Sequence, residues 1–413
     1  MKLMNKTKKI LIVTHQYTPH LSPRTTRWES IVNELLSLGH EVKIVTGTQQ
    51  NDLNQDNNII YVGNKSSNNL VNNLRDKSNN LVDTSKLKKI YYRSLKRIYR
   101  FIVKTFSWPD YSMFWLLSII KNKKKLNIDY DIMITVSLPF SSHIAGYIIN
   151  KKKKKEWIMD IGDPFTLKKD APENNKYLYG FLNKYYENKF YSIASKILFT
   201  HKESLDFHKE YFKIDSSKIF VANPISKFDN QIFNKSLNYD YFSKPIKFGY
   251  FGIFTKGVRS PSNFLESIKD IGDLELFWYV NDDSREQIES SNLMISNSHF
   301  KSIVPREEAI HLMADSVHCL ISIGNMNTNQ LPSKVIEYLS TGKPVIHFAE
   351  VANDPVNLIA ENFDNLFILT KEENIEEFFL NLKKYFKNID SFNKELFIEN
   401  YTASSVIKIL DLT

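Results

Sequence analysis

Residues 10–46 read ILIVTHQYTPHLSPRTTRWESIVNELLSLGHEVKIVT, and this stretch predicts the fold class of the chain. An apolar run is followed by a polar loop and then by a segment whose apolar residues share one helical face: Trp28, Ile31, Leu35 and Leu38. Gly39 ends that helix, and EVKIVT is the next apolar strand. A strand, a helix and a second strand in this order predict a parallel sheet with right-handed crossovers.

The same alternation continues to residue 225 and starts again after residues 226–245, a polar stretch that we interpret as a linker. A chain of 413 residues suits two domains. We therefore expect an α/β protein of two Rossmann-like, doubly wound parallel-sheet domains that face a cleft, at 1–225 and 226–395. In such sheets ligands bind beyond the carboxyl ends of the strands. The loops expected there are 14–27, 137–143, 160–166, 252–260 and 324–334.

Composition excludes several classes of protein. The single cysteine, Cys319, forms no internal disulfide, and we expect it to be buried and inert. No zinc spacing and no glycine-rich dinucleotide fingerprint is present, and no Asp-x-Asp metal signature is visible in the loops expected to be functional, so we expect no metal and no NAD chemistry. No secretory signal or spanning segment is visible, which predicts a cytoplasmic protein. The net charge of +9 favours anionic partners without choosing between nucleotides, nucleic acid and membrane.

The sharpest motif is NQLPSKVIEYLSTGKPVI, residues 329–346. Pro332 and Ser333 stand where a helix begins, with Ser333 as a candidate N-cap, and a helix N-terminus attracts anions. Lys334 adds a cation, and Glu337 lies about one turn inside, where its carboxylate can accept hydrogen bonds from ribose hydroxyls. A capped amphipathic helix with solvent-facing Lys and Glu explains the same pattern equally well.

A second motif is GYFGIFTKGVRSP, residues 249–261. Gly252 permits close backbone approach at a strand end, and Lys256 and Arg259 follow. Two cations on one loop suit a diphosphate, which arginine binds bidentately. Two solvated loop cations are the alternative interpretation.

Three further candidates lie in the first half of the chain. Asp160 and Asp163 of DIGDPF follow a strand and either act on sugar hydroxyls or set a turn. His143 begins a helix after a strand and is either a base or hydrogen-bond donor, or a structural residue. Arg24 and Arg27 of the first loop are expected to line the cleft from the N-terminal side.

Residues 86–125 interleave Lys and Arg with Tyr, Phe and Trp. This pattern favours docking on an anionic membrane surface, with simple core packing as the alternative. Nucleic acid is the least favoured partner, and we do not expect it. Residues 49–85 are rich in Asn and Ser and are interpreted as a long surface loop.

The motifs together resemble those of the GT-B glycosyltransferases, particularly the retaining family 4 enzymes of the branch that builds bacterial surface polysaccharides such as capsule and O-antigen. The resemblance spans nearly the whole chain, and its last motif is the most specific. It is carried by ILIVTHQYTP with SLGHEVKIVT, ITVSLPFSSH with DIGDPF, VANPIS, GYFGIF with Arg259, and PSKVIEYLSTGKPVI.

This resemblance implies a hexosyltransferase-type enzyme that moves a sugar from a nucleotide-diphosphate donor to a lipid-linked or oligosaccharide acceptor, with retained configuration and without metal or cofactor. It places the donor in the C-terminal domain and the acceptor in the N-terminal domain, and it predicts that residues 396–413 form a helix crossing back to the first domain. The catalytic residues that it implies are Asp163, His143, Lys256 and Arg259. The donor-binding residues are Gly252, Lys256, Arg259, Asn329, Leu331, Pro332, Ser333, Lys334 and Glu337. The acceptor-side residues are Arg24, Arg27 and Asp160.

The chain departs from the family pattern at three places. Asn329 stands where the family usually has the first of two glutamates, so the identity of the sugar is not implied. Ile253 and Ser137 replace a common arginine and a common histidine. A sugar-nucleotide epimerase with the same two domains, and a non-catalytic binding protein, are the competing hypotheses.

Overall fold

The computed structural model describes two compact units, one of residues 1–222 with 411–413 and one of residues 223–410. The residues described are 7–20, 22–49, 56–63, 104–168, 172–237, 239–241, 243, 245–269, 274–291, 293, 297–326, 328, 331–371 and 393–413.

The first unit is built on a seven-stranded parallel sheet with the order β3-β2-β1-β4-β5-β6-β7. Its strands are β1 (Lys9–Thr14), β2 (Glu41–Thr46), β3 (Ile59–Tyr61), β4 (Ile132–Val136), β5 (Glu156–Ile161), β6 (Lys196–Phe199) and β7 (Ile219–Val221). Its α-helices are α1 (Pro23–Ser37), α2 (Met113–Lys121), α3 (Ser141–Asn150), α4 (Lys176–Ile193) and α5 (Lys202–Phe212).

The opening segment folds as its pattern predicts. Ser22 caps α1 by accepting a hydrogen bond from the Thr25 amide, and Pro23 occupies the first helical position. The predicted apolar face is buried, apart from Leu38, which lies beyond the helix and is exposed. Gly39 has φ = +86°, a left-handed conformation that glycine adopts without steric cost. Within the predicted surface loop 49–85, β3 pairs with β2 as an edge strand.

The second unit is built on a six-stranded parallel sheet with the order β10-β9-β8-β11-β12-β13. Its strands are β8 (Ile246–Phe251), β9 (Leu274–Tyr279), β10 (Ser298–Lys301), β11 (Cys319–Ile323), β12 (Val345–Phe348) and β13 (Leu366–Leu369). Its α-helices are α6 (Asn230–Leu237), α7 (Ser262–Ile268), α8 (Asp282–Glu289), α9 (Arg306–Asp315), α10 (Ser333–Leu339), α11 (Asn357–Ala360), α12 (Lys394–Tyr401) and α13 (Ala403–Ile409). The prediction of two α/β units with parallel sheets is confirmed.

Two sequence interpretations need correction. Residues 226–245 are not a linker, because they contain α6, and Phe233 and Tyr241 are buried in the core of the second unit. The closing segment is not one helix: Thr402 is extended, at φ −116° and ψ 172°, and separates α12 from α13. That this segment crosses back to the first domain, and that the domains end at 225 and 395, stay predictions.

Cys319 lies fully buried in β11, as expected, and its burial raises the pKa of the thiol. Among the helices of the described ranges, none combines the length and the apolar character needed to cross a bilayer. The expected cytoplasmic location stays a prediction.

Candidate functional site

The order of the second sheet creates a switch point between β8 and β11. The chain leaves β8 toward β9 on one side, and it later adds β11 on the other side. Such a switch point, beyond the carboxyl ends of the strands, is the usual ligand position in open α/β sheets. Gly252 directly follows β8, and Gly324 and Asn325 directly follow β11.

Arg259 connects the two loops at this switch point. Its Nη2 donates to Asn325 Oδ1 at 2.9 Å, and the Met326 amide donates to the Val258 carbonyl at 2.8 Å. Burial raises the pKa of Tyr250, and the contact of its phenol with Arg259 partly offsets this rise. The Arg259 Nε is also buried, and no hydrogen-bond acceptor reaches it among the residues that the structure describes. One guanidinium donor is therefore without a partner in the described part of the chain.

Two other predicted residues of the same loop, Gly252 and Lys256, suit a close approach of the backbone to a ligand and the binding of an anion. A Cβ on Gly252 would lie 3.3 Å from the Tyr250 hydroxyl, so a side chain there would crowd the strand end. Lys256 is exposed on the loop, and no carboxylate within the described ranges pairs with it. Its ammonium is therefore available to an anion.

The start of α10 differs from the prediction in one respect. Pro332 has extended backbone and occupies the N-cap position, so Ser333 is the first helical residue and makes no side-chain cap; its prediction as N-cap is wrong. Leu331 packs partly buried against the core, and Pro332 is buried. Asn329, predicted to contact the donor sugar, lies outside the described residues.

Glu337 is a buried carboxylate held by two cations. Arg306 Nε donates to its Oε1 at 2.6 Å, and the Lys334 ammonium pairs with Oε2. Burial by itself raises the pKa of Glu337, but Lys334 and Arg306 outweigh burial and hold it below the ordinary value. The interpretation of Glu337 as a solvent-facing residue is therefore wrong. Each carboxylate oxygen keeps a lone pair, so the group can still accept a bond from a ligand hydroxyl.

Sequence analysis did not single out three residues of this site. Asn325 lies within a predicted functional loop, directly after a glycine that ends a strand, and this position was the available signal. For Tyr338, the only signal in the sequence was a polar group on the apolar face of α10. In the structure its phenol bonds to the end of β8. Arg306 carried no signal, because it is 31 residues from Glu337 and begins another helix.

In the first unit, the buried Asp160 and the partly buried Arg24 form an ion pair at the carboxyl end of β5. Asp160 Oδ2 accepts from Trp28 Nε1 at 2.6 Å and lies 3.3 Å from Arg24 Nη1. The Arg24 Nε donates to the Ser137 carbonyl. A Cβ on Gly162 would fall 2.0 Å from Arg24 Nη2, so a side chain there would displace the guanidinium from this position.

His143 lies in the same region, fully buried at the start of α3. Its Nδ1 is 2.7 Å from Thr135 Oγ1. Burial, with a smaller contribution from Arg24, lowers the pKa of His143 to about 3, so the ring is neutral near pH 7 and is a weak base. Three buried atoms here have no hydrogen-bond partner in the described part of the chain: His143 Nε2, Arg24 Nη2 and Asp160 Oδ1.

The last two predicted residues occupy different surroundings. Asp163 is partly exposed and lies 3.8 Å from Lys168 Nζ. Arg27 is buried and donates to the Ala222 carbonyl at 2.9 Å, and burial lowers its pKa to about 10. The structure thus brings Arg24, Asp160 and His143 together, whereas Arg27 anchors the end of the first unit.

Within the described ranges, no group of three His, Cys, Asp or Glu side chains is arranged to hold a metal ion. The expectation that neither metal nor cofactor is needed stays a prediction.

Comparison with known proteins finds no matching family model and no matching curated protein. The fold matches solved structures along almost its whole length. Sucrose-phosphate synthase from Thermosynechococcus elongatus is 9% identical, with a TM-score of 0.62 over 98% of this chain and 97% of that one. Anabaena Alr3699/HepE, solved with UDP and glucose, is 10% identical, with a TM-score of 0.58 and 98% of each chain covered. A putative UDP-N-acetylglucosamine 2-epimerase from Listeria monocytogenes is 13% identical, with a TM-score of 0.52 over 99% and 98%. The chain therefore has the GT-B fold.

Proposed function

We propose that the chain is a glycosyltransferase that uses a nucleotide-diphosphate sugar as donor. The observation that carries the proposal is Arg259 at the β8–β11 switch point, tied to Asn325 by one nitrogen and keeping a second buried donor without a described partner. This is where an open α/β sheet binds its ligand, and a guanidinium suits a diphosphate.

Two neighbouring side chains suit the diphosphate and the ribose of such a donor. Lys256 adds a second cation beside the leaving diphosphate, where negative charge develops in the transition state. Glu337, ionised by its two cations, accepts hydrogen bonds from ribose hydroxyls. The GT-B fold, which this chain shares with a structure solved with UDP and glucose, supports the same assignment.

The acceptor and the stereochemistry are proposed on the family resemblance. We propose transfer with retained configuration to a lipid-linked glycan in surface polysaccharide synthesis. Arg24, which is partly exposed beside Asp160, supplies a hydrogen-bond donor for an acceptor hydroxyl in the first unit. The catalytic assignment of Asp163, His143, Lys256 and Arg259 stays part of this proposal.

The test is a binding panel of UDP-, GDP-, dTDP- and ADP-sugars, measured by thermal shift on the wild type, Arg259→Ala and Arg285→Ala. Arg285 is the matched control, because it is a surface arginine of the same unit that pairs only with Glu289 among the described carboxylates. A ligand that binds the folded state raises the melting temperature by mass action. We expect one nucleotide class to stabilise the wild type and Arg285→Ala, and Arg259→Ala to lose that effect. If none of the donors stabilises the wild type, the proposal is refuted.

An epimerase is the second candidate, because the chain also shares its fold with the putative 2-epimerase. Incubating the enzyme with the stabilising nucleotide sugar alone separates the two functions. A transferase leaves the donor sugar intact or hydrolyses it slowly, whereas an epimerase converts it into an isomer that chromatography resolves.

A further inference from the structure

One face of α4 exposes a row of large apolar side chains. Tyr177 is 101% exposed, Phe181 is 81% exposed and Tyr185 is 51% exposed. Their spacing of four residues places them within about 80° of helix circumference. Leu178 and Leu182 continue the same side. Soluble proteins rarely expose such a contiguous apolar surface without a partner for it.

The opposite face of α4 is fixed to the unit, so the exposed row is not a consequence of a loose helix. Asn183, Glu187 and Phe190 are buried. The Trp108 indole donates to Asn183 Oδ1 at 3.0 Å, and the Asn175 amide at the helix start donates to the Lys104 carbonyl at 2.8 Å. The segment that makes these bonds carries another exposed ring, Phe106, which is 70% exposed.

The charged side chains that α4 itself exposes have one sign. Along α4 the charged residues are Lys176, Lys184, Lys189 and Glu187, and Glu187 is buried. The sequence 111–125, which contains α2, also has no acidic residue and ends in Lys121 and Lys123 to Lys125. Three further apolar side chains of α2 are exposed: Phe114, Leu117 and Ile120. Apolar rings flanked by lysines suit a partner that has an apolar interior beneath an anionic outer layer.

We propose that the exposed face of α4, with Phe106, docks on an anionic lipid surface. Tyrosine and phenylalanine rings insert at the boundary between headgroups and acyl chains, and flanking lysines reach the lipid phosphates. This proposal is independent of the reaction assigned above. It places the main membrane contact on α4, and of the basic-aromatic stretch 86–125 that the sequence indicates it uses only Phe106.

Charge argues against the two other candidate occupants. Residues 86–103, KLKKIYYRSLKRIYRFIV, are basic without any acidic residue, so this segment would bring like charge to the α4 face. A second copy of the chain would also oppose lysines to lysines, which electrostatic repulsion disfavours.

The experiment is co-sedimentation of the full chain with vesicles of phosphatidylcholine alone or mixed with phosphatidylglycerol. The test variant is Tyr177→Ser with Phe181→Ser, and the control is Ile303→Ser with Leu358→Ser, two exposed apolar residues of the second unit. We expect binding to the anionic vesicles only, a loss of about tenfold or more in affinity for the test variant, and wild-type binding for the control. Because the replaced side chains are exposed, melting temperatures should stay near that of the wild type.

A second measurement keeps the proposal testable if the double variant misfolds. Because the chain has five tryptophans of its own, the emission of Phe181→Trp is compared with that of the wild type, and the difference should shift to the blue when anionic vesicles are added. Three results overturn the proposal: no binding to anionic vesicles, no emission shift, or binding that survives the double variant but is lost when Arg93, Lys96, Arg97 and Arg100 are changed to Gln. Concentration-dependent dimerisation that the double variant abolishes would assign the face to a second copy instead.

Discussion

The Tyr338 phenol bonds to both backbone groups of Phe251, donating to the carbonyl at 3.0 Å and accepting from the amide at 2.9 Å. Phe251 ends β8 directly before Gly252, and Tyr338 follows Glu337 in α10. Burial raises the pKa of Tyr338 well above its ordinary value, so the phenol keeps the proton that it donates. One buried side chain therefore holds the helix that carries Glu337 against the strand end where loop 252–260 begins.

Replacing Tyr338 by Phe should weaken both the fold and the donor site. The change leaves the buried Phe251 amide and carbonyl without this partner, which costs about 1–3 kcal/mol. It also frees the strand end from α10. We expect a lower melting temperature and a several-fold higher dissociation constant for the nucleotide sugar, measured by thermal unfolding and by titration calorimetry.

Tyr191→Phe is the matched control for this change. Its buried phenol donates to Glu187 Oε1 at 2.7 Å in the first unit. This variant should also melt at a lower temperature, but its donor affinity should equal that of the wild type. If Tyr338→Phe binds donor as tightly as Tyr191→Phe does, the phenol supports only stability.

Asn325 is a positioning residue for Arg259. Asn325→Ala removes the Oδ1 acceptor that orients the guanidinium, so we expect a weaker donor affinity than in the wild type but a stronger one than in Arg259→Ala. The double variant should bind no more weakly than Arg259→Ala alone, because the amide acts through the arginine. Equal and additive losses in a double-mutant cycle would contradict this dependence.

The sequence predicted the parts of the site that depend on local pattern. β8 is followed by Gly252, and β11 is followed by the loop from residue 324. Because parallel strands end at the same edge of a sheet, the sequence alone places both loops at that edge. The pairing of Glu337 with Arg306 and the bonds of Tyr338 to Phe251 join residues 31 and 87 positions apart, and no local pattern encodes them. Ser333 was predicted as N-cap from its residue type, but Pro332 adopted the extended backbone of that position.

The polar composition of residues 226–245 predicts the wrong kind of segment. Their polar residues suggested a linker, yet Phe233 and Tyr241 supply enough apolar surface to join the core of the second unit. In the first unit, Asp160 and His143 are buried and Arg24 lies partly buried beside them, because the loops after β4 and β5 leave neighbouring strands.

His143 should make stability depend on acid. Its pKa of about 3 in the folded protein lies below the ordinary 6.5, so protons bind preferentially to the unfolded chain. The stabilisation is complete above pH 6.5 and is lost as the pH falls toward 3. Between pH 6.5 and 4.5 we expect a loss of about 2 kcal/mol from this group.

The measurement is the melting temperature of wild type and His143→Gln across that pH range. His15, whose pKa burial lowers to about 4, titrates in both proteins, so only the difference between them reports His143. The wild type should lose stability relative to the variant as the pH falls. A difference that is constant with pH would exclude a buried neutral His143.

Lys343 should make the stability of the folded protein depend on pH above pH 7. The side chain is fully buried, its Nζ donates to the Val317 carbonyl at 2.8 Å, and it lies 3.3 Å from the centre of the Tyr239 ring. Burial lowers the pKa of Lys343 to about 7, a shift that Asp315 only partly opposes. The unfolded chain therefore binds the proton more tightly up to pH 10.5, and stability rises as the pH is raised from 7.

Lys343→Met tests this dependence, because methionine has similar length and no charge to desolvate. Between pH 7 and about 9.5, below the titration of free tyrosine, the wild type should gain about 2–3 kcal/mol relative to the variant. Melting temperatures of both proteins across this range measure the difference. Below pH 7 the difference should be constant, since Lys343 is then protonated in both states. A difference that does not change between pH 7 and 9.5 would mean that the ammonium keeps its charge at an ordinary pKa, held by the Val317 carbonyl and the Tyr239 ring.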